Sequence, residues 1–126
     1  MDLRTLTALC VSGAAGVLAR YAVDGLISAR TGSAFPWGTF VINVSGAFLL
    51  GLLASLMTER YGVPPWLRLA ATFGFLGAYT TFSTLSLETL RLIEVREYVQ
   101  AGLNSLGSLG AGLIATYLGL ALGRAL

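Results

Sequence analysis

Residues Gly74 to Ser86 read GFLGAYTTFSTLS, a run of glycines and hydroxyls inside an otherwise apolar stretch covering residues 66–90. The centre of that stretch falls near Ala78, so Thr80, Thr81, Ser83, Thr84 and Ser86 lie at or just past its midpoint. Glycine forms helix poorly, and serine and threonine hydroxyls compete for backbone carbonyls. The combination predicts a helix that breaks between Gly77 and Thr80. In hydrocarbon an unwound turn leaves carbonyls without donors, which is tolerated only where they line a cavity or bind a cation. The alternative is a continuous helix whose hydroxyls bond back to the preceding turn.

A bilayer requires about 20 mostly apolar residues per crossing helix, and four stretches meet that length: residues 6–27, 36–57, 66–90 and 98–122. They are joined by SARTGSAF, TERYGVPP and RLIEVRE, so the 126 residues read as one four-helix transmembrane domain without a separate soluble part. Pro36 opens one span, and Pro64-Pro65 separates two others. Trp37, Trp66 and Tyr98 stand at span starts, where amphipathic rings favour the headgroup level. The first span carries Arg20 and Asp24 and is too long for the apolar core of a secretory signal, so it reads as retained.

Composition agrees with a membrane solvent. Charged residues make up 11% of the chain and hydrophobic ones 56%, against about 25% charged in an ordinary soluble domain. The eight cationic residues are all arginines, and there is no histidine. Charge this sparse and scattered forms no phosphate-tracking stripe, which excludes a nucleic-acid partner. A single cysteine, Cys10, excludes an intrachain disulfide and a cysteine-rich metal site.

Arginine placement leaves the orientation undecided. Arg4, Arg60, Arg68 and Arg124 fall on one side of the four spans and Arg30, Arg91 and Arg96 on the other, whereas a marked bias normally fixes topology. A chain inserting both ways can pair head to tail as a closed two-fold dimer, and this predicts an antiparallel homodimer in membrane lipid. Gly13, Gly16, Gly46, Gly51, Gly119 and Gly123 supply the small surfaces by which helices associate in lipid.

Further polar residues fall within spans. Thr39 and Asn43 are one turn apart in the second; Asn104, Ser108, Gly112 and Thr116 form a polar or small stripe along the fourth. Arg20 and Asp24 are spaced to pair along one helix face, and Glu88 stands near the end of the third span, suited to a water-filled mouth.

Three segments in order resemble the Fluc/CrcB fluoride channel family over the whole chain. GFLGAYTTFSTLS (74–86) is similar to the family's G-x-x-G-x-x-T/S-T-F-S-T-F-S, GTFVINVSG (38–46) to its G-T-x-x-x-N-x-x-G, and GAAGVLARY (13–21) to its first-helix glycines and arginine. The resemblance implies a passive, fluoride-selective channel in the cell's inner (plasma) membrane: a dual-topology homodimer with two pores. It further implies a structural sodium ion at the dimer centre, held by the carbonyls of Gly77 and Thr80. By the same match Asn43, Phe82, Ser83, Thr84, Ser108 and Thr116 line each fluoride pore, with Arg20 and Glu88 at the vestibule. This sequence departs from the family at Leu85, where a second phenylalanine is usual, and at Gly112, where some relatives have serine. A phenyl edge carries partial positive charge that can face an anion; leucine has none.

The main competitor is a small dual-topology, proton-coupled multidrug exporter, which needs a carboxylate deep in the membrane. The first helix offers only the near-terminal Asp24. A noncatalytic membrane assembly subunit is a third reading, opposed by the hydroxyl-rich middle of the third span. Nothing resembles a nucleotide-binding loop, and the chain does not read as an enzyme.

Overall fold

A computed structural model describes residues 1–126. The protein is all helical. Helix α1 covers Leu3–Arg30, α2 Trp37–Arg60, α3 residues 65–79, α4 Phe82–Glu94 and α5 Tyr98–Ala125. Of these, α1, α2 and α5 are each long and apolar enough to cross a membrane. The third expected span is two shorter helices separated by Thr80 and Thr81.

The local signals act as physical chemistry requires. The Asp2 carboxylate caps α1 by accepting from the Thr5 N–H at 2.7 Å. Pro36 precedes α2, and Pro65 occupies the first turn of α3, where its missing donor costs nothing. Between α4 and α5 the chain reverses through Arg96, at φ 63°. The Arg96 and Glu97 N–H groups bond back to Ile93 O and Leu92 O at 3.0 and 2.8 Å, a closing pair of the Schellman type. Wider, π-type turns interrupt α2 at Ser55–Arg60, α3 at Ala70–Leu76 and α5 at Leu103–Gly107.

Glycines set how closely the helices approach. A methyl group on Gly51 would strike the Thr116 carbonyl, and one on Gly119 would strike that of Phe48, so α2 and α5 meet backbone to backbone. A methyl on Gly16 would strike the Phe75 carbonyl, which brings α1 equally close to α3. At one end of the bundle the Arg4 guanidinium lies over the Trp66 ring at 5.9 Å. Arg124 grips Glu59 through two bonds of 2.9 and 3.0 Å at the same end.

Burial is sparse. The apolar centre consists of Ile42, Leu76 and Tyr79, with Phe75 stacked on Tyr79 at 6.0 Å between centroids. The accessible surface is 7724 Å², whereas a compact soluble protein of this mass exposes ~6,400 Å². Large apolar side chains such as Val11, Leu18, Phe73, Leu113 and Ile114 point outward along the helices. A single protomer in water would violate the usual limit on exposed apolar patches; lipid or a second chain has to cover them.

Candidate functional site

The site is built around the interruption between α3 and α4. Thr80 ends α3 in extended backbone (φ −79°, ψ 156°), and Thr81 follows at φ −149°, ψ 110°. The interruption falls at the late edge of the interval expected from sequence. Gly77, expected to unwind, is instead helical. Thr80 stays tied to α3, its N–H and its hydroxyl both donating to Leu76 O at 3.0 Å. Its methyl group packs into the space that Gly46 leaves on α2. Thr81 begins α4, its hydroxyl oxygen accepting from the Thr84 N–H at 3.2 Å.

Asn43 reaches from α2 to the interruption itself. Its Oδ1 accepts from the Thr81 N–H at 2.8 Å, and its Nδ2 donates to the Thr81 carbonyl at 3.1 Å. Both backbone polar groups of a buried, non-helical residue are therefore satisfied by one side chain, which answers the objection to unwound backbone in lipid. No hydrogen bond outside the regular helices ends on the carbonyls of Gly77 or Thr80. They remain oxygen ligands available to a small, hard cation.

Two cavities flank the interruption and share Asn43 and Thr80. One, of 540 Å³, runs along α2 and α3 past Gly46, Thr72, Gly77 and Thr116. The other, of 550 Å³, lies between α4 and α5, lined by Thr81, Phe82, Leu85, Ser86, Thr89, Ser105 and Ser108. Neither contains a charged residue. On the α1 side a smaller cavity of 220 Å³ holds Arg20, Asp24, Thr39, Thr81 and Thr84. Beyond it, Glu88 lines a fourth hollow with Arg91 and Pro36.

The expected residues are thus divided. Asn43, Phe82, Leu85 and Ser108 share one cavity, and Thr116 lies with Asn43 in the next. Thr84 faces α1 with Arg20, its hydroxyl accepting from that of Thr81 at 3.0 Å. Ser83 is exposed, and Phe82 presents 82% of its surface on the outside of the protomer. Thr116 bonds to Gly112 O at 2.9 Å and Ala47 O at 3.3 Å. Arg20 and Asp24 do not pair: the one ion pair is Arg124 with Glu59. The Asp24 carboxylate packs instead against Gly38 in the first turn of α2, where the helix dipole favours an anion.

Sequence reading missed several partners. Ser45 and the Tyr79 hydroxyl bond at 2.9 Å, Thr39 donates to Glu88, and Asn104, fully buried, donates to the Thr89 hydroxyl at 3.0 Å. They join different helices across 34, 49 and 15 positions of sequence, and no local pattern announces such a pair.

The family model for CrcB-like protein, Camphor Resistance (CrcB), matches residues 7–120. The chain belongs to the CrcB family. Among curated relatives in this family, the fluoride-specific ion channel FluC of Geobacter sulfurreducens is 45% identical over 122 residues, covering 97% of this chain and 98% of the relative. The protein of the same name from Magnetococcus marinus is 46% identical over 116 residues, covering 92% and 94%. That from Geotalea uraniireducens is 43% identical over 124 residues, covering 98% of this chain and all of the relative. Membership of the CrcB family reaches both helices that flank the interruption, so the two cavities lie within the matched region.

Proposed function

We propose that this chain is a passive, fluoride-selective channel through which cytoplasmic fluoride leaves the cell across the inner membrane. The carrying observation is an extended interruption, Thr80–Thr81, flanked by two cavities that contain no charged residue and share Asn43, in a chain whose relatives are named fluoride-specific ion channels. Fluoride is small and strongly hydrated, so loss of its water shell is the main barrier to entry. Amide and hydroxyl donors in a narrow passage replace part of that shell, yet hold the ion loosely enough to release it, as conduction demands. Asn43, Phe82, Ser108 and Thr116 are the lining groups assigned to that path, with Ser83 beside Phe82 and Thr84 on the α1 side toward Arg20. Arg20 draws anions to the mouth, and Glu88 stands at its edge.

In this reading four crossings are made by α1, α2, the α3–α4 pair and α5, and two chains insert in opposite senses. Each dimer then carries two pores. The unpaired carbonyls of Gly77 and Thr80, with those of the second chain, fit a sodium ion at the centre; when bound it supplies positive charge that offsets anion desolvation. Gly77 is exposed on the protomer, where a second chain can reach it.

Two experiments test this proposal. Cells expressing the protein and loaded with fluoride should lose it faster than cells without it; equal retention counts against the channel. For topology, Tyr61→Cys in a Cys10→Ser background should be labelled to about half from outside by an impermeant maleimide. Complete labelling or complete protection would contradict dual insertion.

A further inference from the structure

We propose that Asn43 is a positioning residue whose carboxamide pairs with the Thr81 backbone as a neighbouring strand would, and thereby holds the interruption in its extended form. The proposal rests on the channel reading only for its consequence in flux. Thr81 has strand-like dihedrals, and in such a residue the N–H and C=O point the same way and can both be exchanged with one partner. Here the partner is a side chain: Oδ1 takes the N–H at 2.8 Å and Nδ2 takes the carbonyl at 3.1 Å. The pair dictates the orientation of the amide, because a flip would set oxygen against oxygen and N–H against N–H.

The two residues of the interruption are consequently anchored to different elements. Thr80 is held to α3 through Leu76, and Thr81 to α2 through Asn43. The Thr81 N–H cannot rejoin α3 without giving up its bond to Asn43 Oδ1 in a low-dielectric interior, where unmade bonds are costly. One amide N–H of Asn43 stays uncommitted at the place where the two cavities meet. The same side chain thus shapes the backbone and aims a neutral donor into the groove.

Hydrogen exchange at Thr81 in the detergent-solubilised protein tests this without fluoride, comparing wild type, Asn43→Leu and Asn43→Asp. Loss of both bonds in Asn43→Leu should speed Thr81 exchange about tenfold or more relative to its intrinsic rate, with α1 and α5 unchanged. A protonated aspartic acid can accept the N–H and donate to the carbonyl, whereas an aspartate can only accept. Asn43→Asp should therefore regain Thr81 protection as pH falls, and Asn43→Leu should not. Fluoride efflux in Asn43→Asp should follow the same pH profile. Unchanged Thr81 exchange in Asn43→Leu, protection in Asn43→Asp that ignores pH, or faster exchange spread over α1 and α5 would each overturn the proposal. Absence of fluoride efflux from the wild type, with the exchange results as expected, would refute the channel reading and leave the clamp standing.

Discussion

The Thr39 hydroxyl donates to the Glu88 carboxylate, joining the first turns of α2 to the middle of α4 across 49 positions of sequence. The bond closes the side of the bundle on which Arg20, Asp24 and Thr84 also gather. It locates the restart of the interrupted span relative to α2 at a second point, about one helical turn from Asn43.

Removing the donor should therefore cost more than neutralising the acceptor. Thr39→Val leaves a half-buried carboxylate without its partner and should destabilise by about 1.5–3 kcal/mol. Glu88→Gln retains an acceptor oxygen and should cost less. Thermal unfolding in detergent compares the two; a larger loss for Glu88→Gln would contradict the donor assignment.

Close approach of α2 and α5 makes a second expectation. Gly51→Ala places a methyl group against the Thr116 carbonyl, and overpacking of this kind costs about 1–3 kcal/mol. Gly25, on α1, has nothing within 4 Å of a built Cβ. Gly25→Ala should be neutral or stabilising, since alanine is the better helix former by up to ~1 kcal/mol. Unfolding midpoints of the two variants should move apart accordingly.

At the chain start, the hydrogen bond from Thr5 holds the Asp2 carboxyl below its ordinary value of 3.8. A depressed carboxyl contributes stability that is present above the unfolded value and lost as pH falls through the folded one. The first turn of α1 should stay capped at neutral pH and fray only at pH below 3.8. Exchange of the Thr5 amide measured against pH reads this directly, and Asp2→Asn should remove the pH dependence.

Much of this architecture was legible in the sequence, for identifiable reasons. Helix starts at 37, 65 and 98 follow Pro36, Pro64-Pro65 and the charged RLIEVRE turn, all local signals. Small residues at Gly16, Gly51 and Gly119 marked helix contacts because close packing in lipid needs them. The interruption was legible only approximately. Gly74 is used for approach to Ser12 on α1, not for unwinding, and the position of the break is fixed by Asn43, 38 residues away. Ser83 and Thr84, adjacent in the hydroxyl run, take different surroundings: Ser83 is exposed, and Thr84 lines the cavity that holds Arg20. The pairing of Arg20 with Asp24 failed because the start of α2 offered the carboxylate a competing place. Nonlocal contacts of that kind leave no periodic trace.

Position 85 carries the departure from the family pattern. Leu85 lines the same cavity as Phe82, so Leu85→Phe should add a positive ring edge to the groove and leave fluoride flux equal or higher. Phe82→Leu removes the remaining edge and should lower flux by up to about tenfold, the scale of an aromatic contact. Efflux rates from matched vesicles decide both, and a faster Phe82→Leu would contradict the role given to the ring.

The most direct test of the whole account is ion efflux from liposomes containing only the purified protein, with potassium permeability supplied so that charge does not accumulate. Fluoride should leave rapidly while chloride, loaded into the same vesicles, stays inside. Equal release of the two ions, or retention of both, would contradict it.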